Sequence, residues 1–308
     1  MLTLPFVLLV LATLASIAAI LCHLLLPTVL RLLQDVTPEL RAHLLMLAAA
    51  APWLLGLGVL ISSIGDILFG ACDFGNACLW NQDPTAVDPV RALAIVPLML
   101  ATAAIGIHIV WQIVRARRIL AALNVASITG EEGDIRLVSS PATFAFAGRG
   151  AVYVSQGLKE KLSPEEYRAL LLHERAHLAR RDGKMQLFAG ILAACYIPPF
   201  RRRLLDALRL ANEQCCDERA AETLGRPQVA GAILAVERLM SDGSIPAALP
   251  AFTDGFVAER VRHLLSPMPR TLRPGVLQAA MILPALFGFL LCDMLYYMAM
   301  YVLYPAAL

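Results

Sequence analysis

Four long apolar stretches, Leu4–Leu26, His43–Phe69, Arg91–Val114 and Val276–Leu303, limit this chain more than anything else in it. Each is long enough to cross a hydrocarbon layer of about 30 Å as a helix. With 58% hydrophobic residues over 308 positions, the chain is too apolar for an ordinary soluble enzyme. The expected fold is therefore mainly α: a polytopic membrane protein with four transmembrane helices. Charge then assigns the sides. All 26 Lys and Arg residues except Arg31, Arg41 and Arg91 fall between Arg115 and Arg273, so that block is expected in the cytoplasm. The loop 71–89 carries Asp73, Asp83 and Asp88 with no basic residue and is expected outside.

Alternation puts the N- and C-termini outside the inner (plasma) membrane, with Tyr296, Tyr297, Tyr301 and Tyr304 in an outer interfacial belt. Three parts follow: three membrane helices over 1–114, a cytoplasmic domain over 115–274 and a last membrane helix over 275–308. Met1–Leu26 lacks a basic leader and a small-residue cleavage site, so it is expected to be retained. Cys72 and Cys78 share the outer loop and are candidates for a disulfide, whereas Cys195, Cys215 and Cys216 should stay reduced. His23, Asp66 and His108 lie near segment ends and are expected to snorkel in structural roles. A net charge of +2 gives no ground for a nucleic-acid partner.

Within the charged block stands P-E-E-Y-R-A-L-L-L-H-E-R-A-H-L-A-R-R-D, residues 164–182. His173 and His177 are four apart, so one helix face presents two imidazoles to a single cation, with Glu174 beside it. A carboxylate next to a metal-bound water can take its proton, which is the chemistry of a zinc hydrolase. Ser163 with Glu166 forms a capping box and Pro164 suits the first helical position, so the motif falls on a well-started helix. A catalytic zinc takes three protein ligands and keeps one place open. Glu213 and Asp217, again four apart in A-N-E-Q-C-C-D-E-R-A-A, supply a third ligand and an acceptor for a ligand histidine's free N–H. The alternative is a solvated acidic face. Glu213 is the expected ligand, Asp217 the acceptor, and Cys215 and Cys216 core residues.

Around these, Ile135–Ser139, Ala142–Phe146 and Ala151–Ser155 read as strands, the last two joined by Gly148–Gly150 into a hairpin whose edge could take an extended peptide. Lys184–Phe200 is too short for a span and is expected to lie in the inner leaflet, ended by Pro198 and Pro199. Helices are expected over 204–224, 229–240 and within 251–265, with His263 on the surface. Tyr153 and Arg219 are available to an oxyanion, and neither is assigned.

H-E-R-A-H-L-A-R-R-D followed by N-E-Q-C-C-D-E-R-A in a multi-helix membrane chain resembles the BlaR/MecR-type membrane zinc metallopeptidases. That resemblance implies a cytoplasmic α+β zincin-like domain, Zn²⁺ on His173, His177 and Glu213, Glu174 as general base, Asp217 orienting a histidine, and Asp182 as the aspartate after the basic pair. It also implies regulatory proteolysis of a protein or peptide, such as a transcriptional repressor or the chain itself, beside the lipid bilayer. No S-x-x-K stands in an outer segment, so a sensorless member is expected. The alternatives are a quality-control protease of the HtpX or CAAX-prenyl type and a non-catalytic membrane scaffold.

Overall fold

The computed structural model describes residues 18–19, 22–34, 36–68, 127–129, 133–148, 150–241 and 256–266, with isolated positions at 106–122 and 286–294. The segments Leu4–Leu26, Arg91–Val114 and Val276–Leu303 lie largely outside these, as do loop 71–89 with Cys72 and Cys78, and the side chains of Asp66 and His108.

Among the described residues the fold is mostly helical with one small sheet. Helix α1 covers Cys22–Leu32 and α2 covers Pro38–Leu68, a 31-residue helix that contains Pro52. At 1.5 Å per residue α2 is about 46 Å long. Its portion Pro38–Gly58 is the one candidate span among the described residues that is long and apolar enough to cross a membrane.

The sheet has strands β1 (Ser127–Thr129), β2 (Ile135–Val138), β3 (Ala145–Gly148) and β4 (Ala151–Ser155) in the order β1-β2-β4-β3. The expected hairpin is present as antiparallel β3 and β4, but β4 also runs parallel to β2 at the sheet centre. The third strand begins three residues later than the pattern indicates, at Ala145. Residues 142–144 are held otherwise: the Phe144 amide donates to Ser155 Oγ at 3.0 Å, and the Ser155 amide to Phe144 O. Strand β1 was not foreseen.

Helix α3 (Gln156–Lys159) leads into α4 (Pro164–Arg180), which packs on β3 and β4. Helix α5 (Asp182–Leu192) and a 3-10 turn (Ala193–Cys195) follow, then α6 (Pro198–Leu224), α7 (Arg226–Ser241) and α8 (Val257–Leu265). Pro198 and Pro199 therefore open a helix rather than end one, and α6 begins six residues ahead of the expected start. Proline suits a first turn, where its missing N–H is not needed, and it holds Ile197 before it extended.

Two cores result. One joins Ile135, Val152 and Val154 of the sheet to Leu170, Leu171, Val236 and Met240. The other joins Leu26, Leu33, Val36, Ala42, Leu45 and Ala49 to Ala189, Ala193, Tyr196, Leu204, Leu208 and Ala211, so α1 and α2 share their interior with α5 and α6. Polar contacts tie the same interface: Tyr196 Oη donates to Ala48 O, and Trp53 Nε1 to Leu192 O, each at 2.7 Å. His23 does not snorkel. It is 5% exposed, packs against Tyr196 and Phe200, and accepts the Ile197 amide at 2.9 Å, which satisfies a helix-start donor beside the prolines.

Candidate metal centre

Helix α4 starts as its sequence dictates. Ser163 Oγ accepts the Glu166 amide at 3.3 Å, and Glu166 Oε2 accepts the Ser163 amide at 2.9 Å. Three turns on, His173 and Glu174 are buried, and His177 lies on the same face as His173. Their Nε2 atoms converge to 3.1 Å. From α6, Glu213 closes a triangle: Oε2 is 3.3 Å from His173 Nε2, and Oε1 is 3.4 Å from His177 Nε2. One ligand atom from each of the three residues lies within 4.8 Å of the others.

What lies behind each imidazole decides which nitrogen faces the triangle. His173 Nδ1 is 2.8 Å from Asp217 Oδ1, and His177 Nδ1 is 2.8 Å from Asp182 Oδ2. Both carboxylates are buried, so each Nδ1 carries the donated proton and each Nε2 turns a lone pair inward. Two lone pairs and a carboxylate at these distances repel one another unless a cation lies between them.

The chain reaches Asp182 by a sharp corner. Arg181, at the end of α4, takes φ 59° and ψ 36°, the single non-glycine residue of positive φ among those described. That conformation costs about 1–2 kcal/mol for an L-residue. It returns the first residue of α5 beneath His177. Arg180 then braces Asp182 through Nε at 3.3 Å and donates to Asn212 Oδ1 of α6 at 3.1 Å.

The surroundings favour positive charge. Four carboxylates (Glu174, Glu213, Asp217, Asp182) face two guanidiniums (Arg180, Arg260), which leaves two negative charges when all are ionised. Burial pulls both imidazoles down, but Asp217 and Glu213 at His173, and Asp182 at His177, outweigh it and raise both. Glu174 is 1% exposed, burial raises its carboxyl above the ordinary value, and its Oε1 finds no hydrogen-bond donor among the described residues. These features fit a bound divalent metal ion, with a carboxyl beside it disposed to take a proton.

Arg260 is the residue that sequence reasoning missed. It is 4% exposed and reaches from α8 to grip Asp217 with two bonds, Nε to Oδ2 at 2.8 Å and Nη2 to Oδ1 at 2.7 Å. Its Nη1 lies 3.1 Å from Glu213 Oε2. A signal was present: Arg260 stands between Val257 and Leu264 at helical spacing, an arginine within the apolar stripe. Cys215 and Cys216 are buried, as expected of core residues, but Cys216 Sγ also lies 3.4 Å from both His177 Nδ1 and Asp182 Oδ2, with its thiol pushed up to about 12 by burial. His263 is not a free surface residue: its Nε2 meets Glu218 Oε1 at 2.9 Å, which helps dock α8 on α6. Tyr153 is buried and stacked on Phe146, and Arg219 is exposed.

Residues 87–262, more than half of the chain, match the profile of the family described as BlaR1 peptidase M56. No solved structure matches the chain.

Proposed function

Since the chain belongs to the BlaR1 peptidase M56 family, a family of membrane-associated metallopeptidases, we propose that it is an integral-membrane zinc endopeptidase that cleaves a protein substrate at the cytoplasmic face in regulatory proteolysis. The observation that carries this reading is the convergence of His173 Nε2, His177 Nε2 and the Glu213 carboxylate: the two nitrogens are 3.1 Å apart, one carboxylate oxygen lies 3.3 Å from the first and the other 3.4 Å from the second. Tetrahedral zinc with bonds of about 2.0–2.1 Å sets its ligand atoms about 3.3 Å apart. Two imidazoles and a carboxylate are also a donor set that zinc accepts in hydrolases.

Bound there, zinc supplies an acidified water and a Lewis acid for the scissile carbonyl. The rest is done by the chain. Asp217 and Asp182 fix the tautomer and tilt of the two imidazoles through their Nδ1–H groups. Glu174, its carboxyl raised by burial, takes a proton from the attacking water and delivers it to the leaving amine nitrogen. Helix α2, the candidate span, holds the helices bearing the site through Tyr196 and Trp53, which supports a site close to the bilayer and protein substrates presented there. Multi-pass topology with the charged block inside rests on the basic residues between Arg115 and Arg273.

The test is elemental analysis and cleavage on detergent-purified chain. About one zinc per chain is expected in the wild type and in Glu174→Gln, none in His177→Ala or Glu213→Ala, and cleavage only in the wild type. A wild type that folds without zinc would move the reading to a scaffold, and cleavage by Glu174→Gln would remove the base.

A further inference from the structure

Helix α7 feeds two apolar clusters, with Val236 in the one it shares with the sheet and Val229 and Ile233 in the one it shares with α6 and α8. Between the two, the packing stays open. A groove runs there between α4, α7 and α8, walled by Leu170, Val229, Ala232, Ile233 and Val236, each 9% exposed or less. His173, Asp217 and Arg260 line it as well. His173 is thus both a ligand of the metal centre and a wall of the groove. Arg260 Nη1 lies 3.1 Å from Glu213 Oε2, and a zinc–carboxylate bond adds about 2 Å, so the groove reaches to within about 5 Å of the ion. A scissile carbonyl bound to that ion carries the Cβ atoms of its two flanking residues at about the same distance.

Resting on the metal-site reading above, we propose that this groove is a specificity pocket, which receives an apolar side chain from the substrate residue next to the scissile bond. Its enclosed part, about 30 Å³, takes the end of one side chain and not a peptide segment. Arg260 holds both oxygens of Asp217, which also meets His173 Nδ1, so an apolar chain entering here strands no ion pair. Half-buried Glu237 is the remaining polar residue of the lining, and it sets the competing preference, for a cationic chain. Five apolar walls against one carboxylate favour the apolar chain, whose entry releases water from those walls. Ala232 is the smallest of the five, so a longer side chain there fills the space a substrate would use.

Alkyl hydroxamates test this without turnover, because the hydroxamate chelates the metal and its chain enters whatever adjoins it. Calorimetric titration of the zinc-loaded full chain in detergent gives the affinities. At about fourfold per buried methylene, isocaprohydroxamate should bind the wild type at least about 10-fold more tightly than acetohydroxamate, and aminocaprohydroxamate, with its terminal ammonium, should bind more weakly than isocaprohydroxamate. Ala232→Leu should bring isocaprohydroxamate and acetohydroxamate within about threefold of each other. Ile233→Ala widens the groove and should shift preference several-fold from isocaprohydroxamate to phenylbutyrohydroxamate; if Ala232→Leu fails to fold, this shift decides alone. Equal affinities in the wild type, or an unmoved ratio in a folded variant, overturn the proposal. Tightest binding of the ammonium ligand overturns it too, and gives the groove to Glu237 and a basic side chain. So does a zinc-loaded wild type that takes no hydroxamate. A wild type that takes no zinc would instead remove the metal-site reading on which this rests.

Discussion

His177 Nδ1 lies 2.8 Å from Asp182 Oδ2, five residues along the chain, because Arg181 between them turns into the left-handed region. A backbone corner, rather than a long side chain, delivers the carboxylate. Asp182→Asn should weaken metal affinity about 10–100-fold with little change in secondary structure. Arg181→Gly, which removes the strain, should leave affinity unchanged and stability equal or higher by about 1 kcal/mol. Arg181→Val should lower both. Competition against a calibrated chelator measures the affinity, and an unaltered Asp182→Asn would show that His177 needs no acceptor behind it.

Metal and stability should move together. With free metal at about 100 times its dissociation constant, the folded state gains about 2.7 kcal/mol, and chelation takes it away again. Thermal unfolding in detergent should show a rise with zinc, a fall with chelator, and no response in His177→Ala. A wild type indifferent to both would count against convergence of the three side chains on one ion.

Asp217 and Arg260 form a buried pair, at 0% and 4% exposure. Removing one partner strands the other, so Asp217→Ala or Arg260→Ala should each cost about 3–5 kcal/mol. Replacing both with Leu and Met should cost less than the sum, while still weakening metal binding through His173. Four unfolding curves make the cycle, and simple additivity would mean that the two side chains are independent.

Gly157 sits where a Cβ would approach Pro141 O to 2.3 Å, with its own amide bonded to Ser140 O. Gly157→Ala should destabilise the sheet by about 1–3 kcal/mol, because the obstacle is backbone. Gly183, in the first turn of α5 with open space around it, should accept alanine and gain up to about 1 kcal/mol. Equal responses would place the crowding elsewhere.

What could be read from the residues was what neighbours in sequence decide. His173, Glu174 and His177 share a helix face by spacing, and Ser163 with Glu166 announces where that helix begins. Glu213 and Asp217 could be paired for the same reason. Arg260 could not be matched to Asp217 from sequence, because 43 residues separate them and nothing periodic links the two helices. Pro198 was ambiguous for a local reason: proline breaks a helix before it as readily as it starts one after it. The parallel pairing of β2 with β4 depends on where β3 is set aside, and strand alternation carries no record of that.

The interior shared by α1 and α2 with α5 and α6 bears on how such a molecule can be controlled. A shortened form beginning after α2 would have to fold with Ala189, Ala193 and Tyr196 turned to water, and with them Leu204 and Leu208 of the very helix that presents Glu213. The candidate span is thus part of the interior that supports the Glu213 helix, and its removal should unsettle that helix and weaken metal binding rather than release an independent domain.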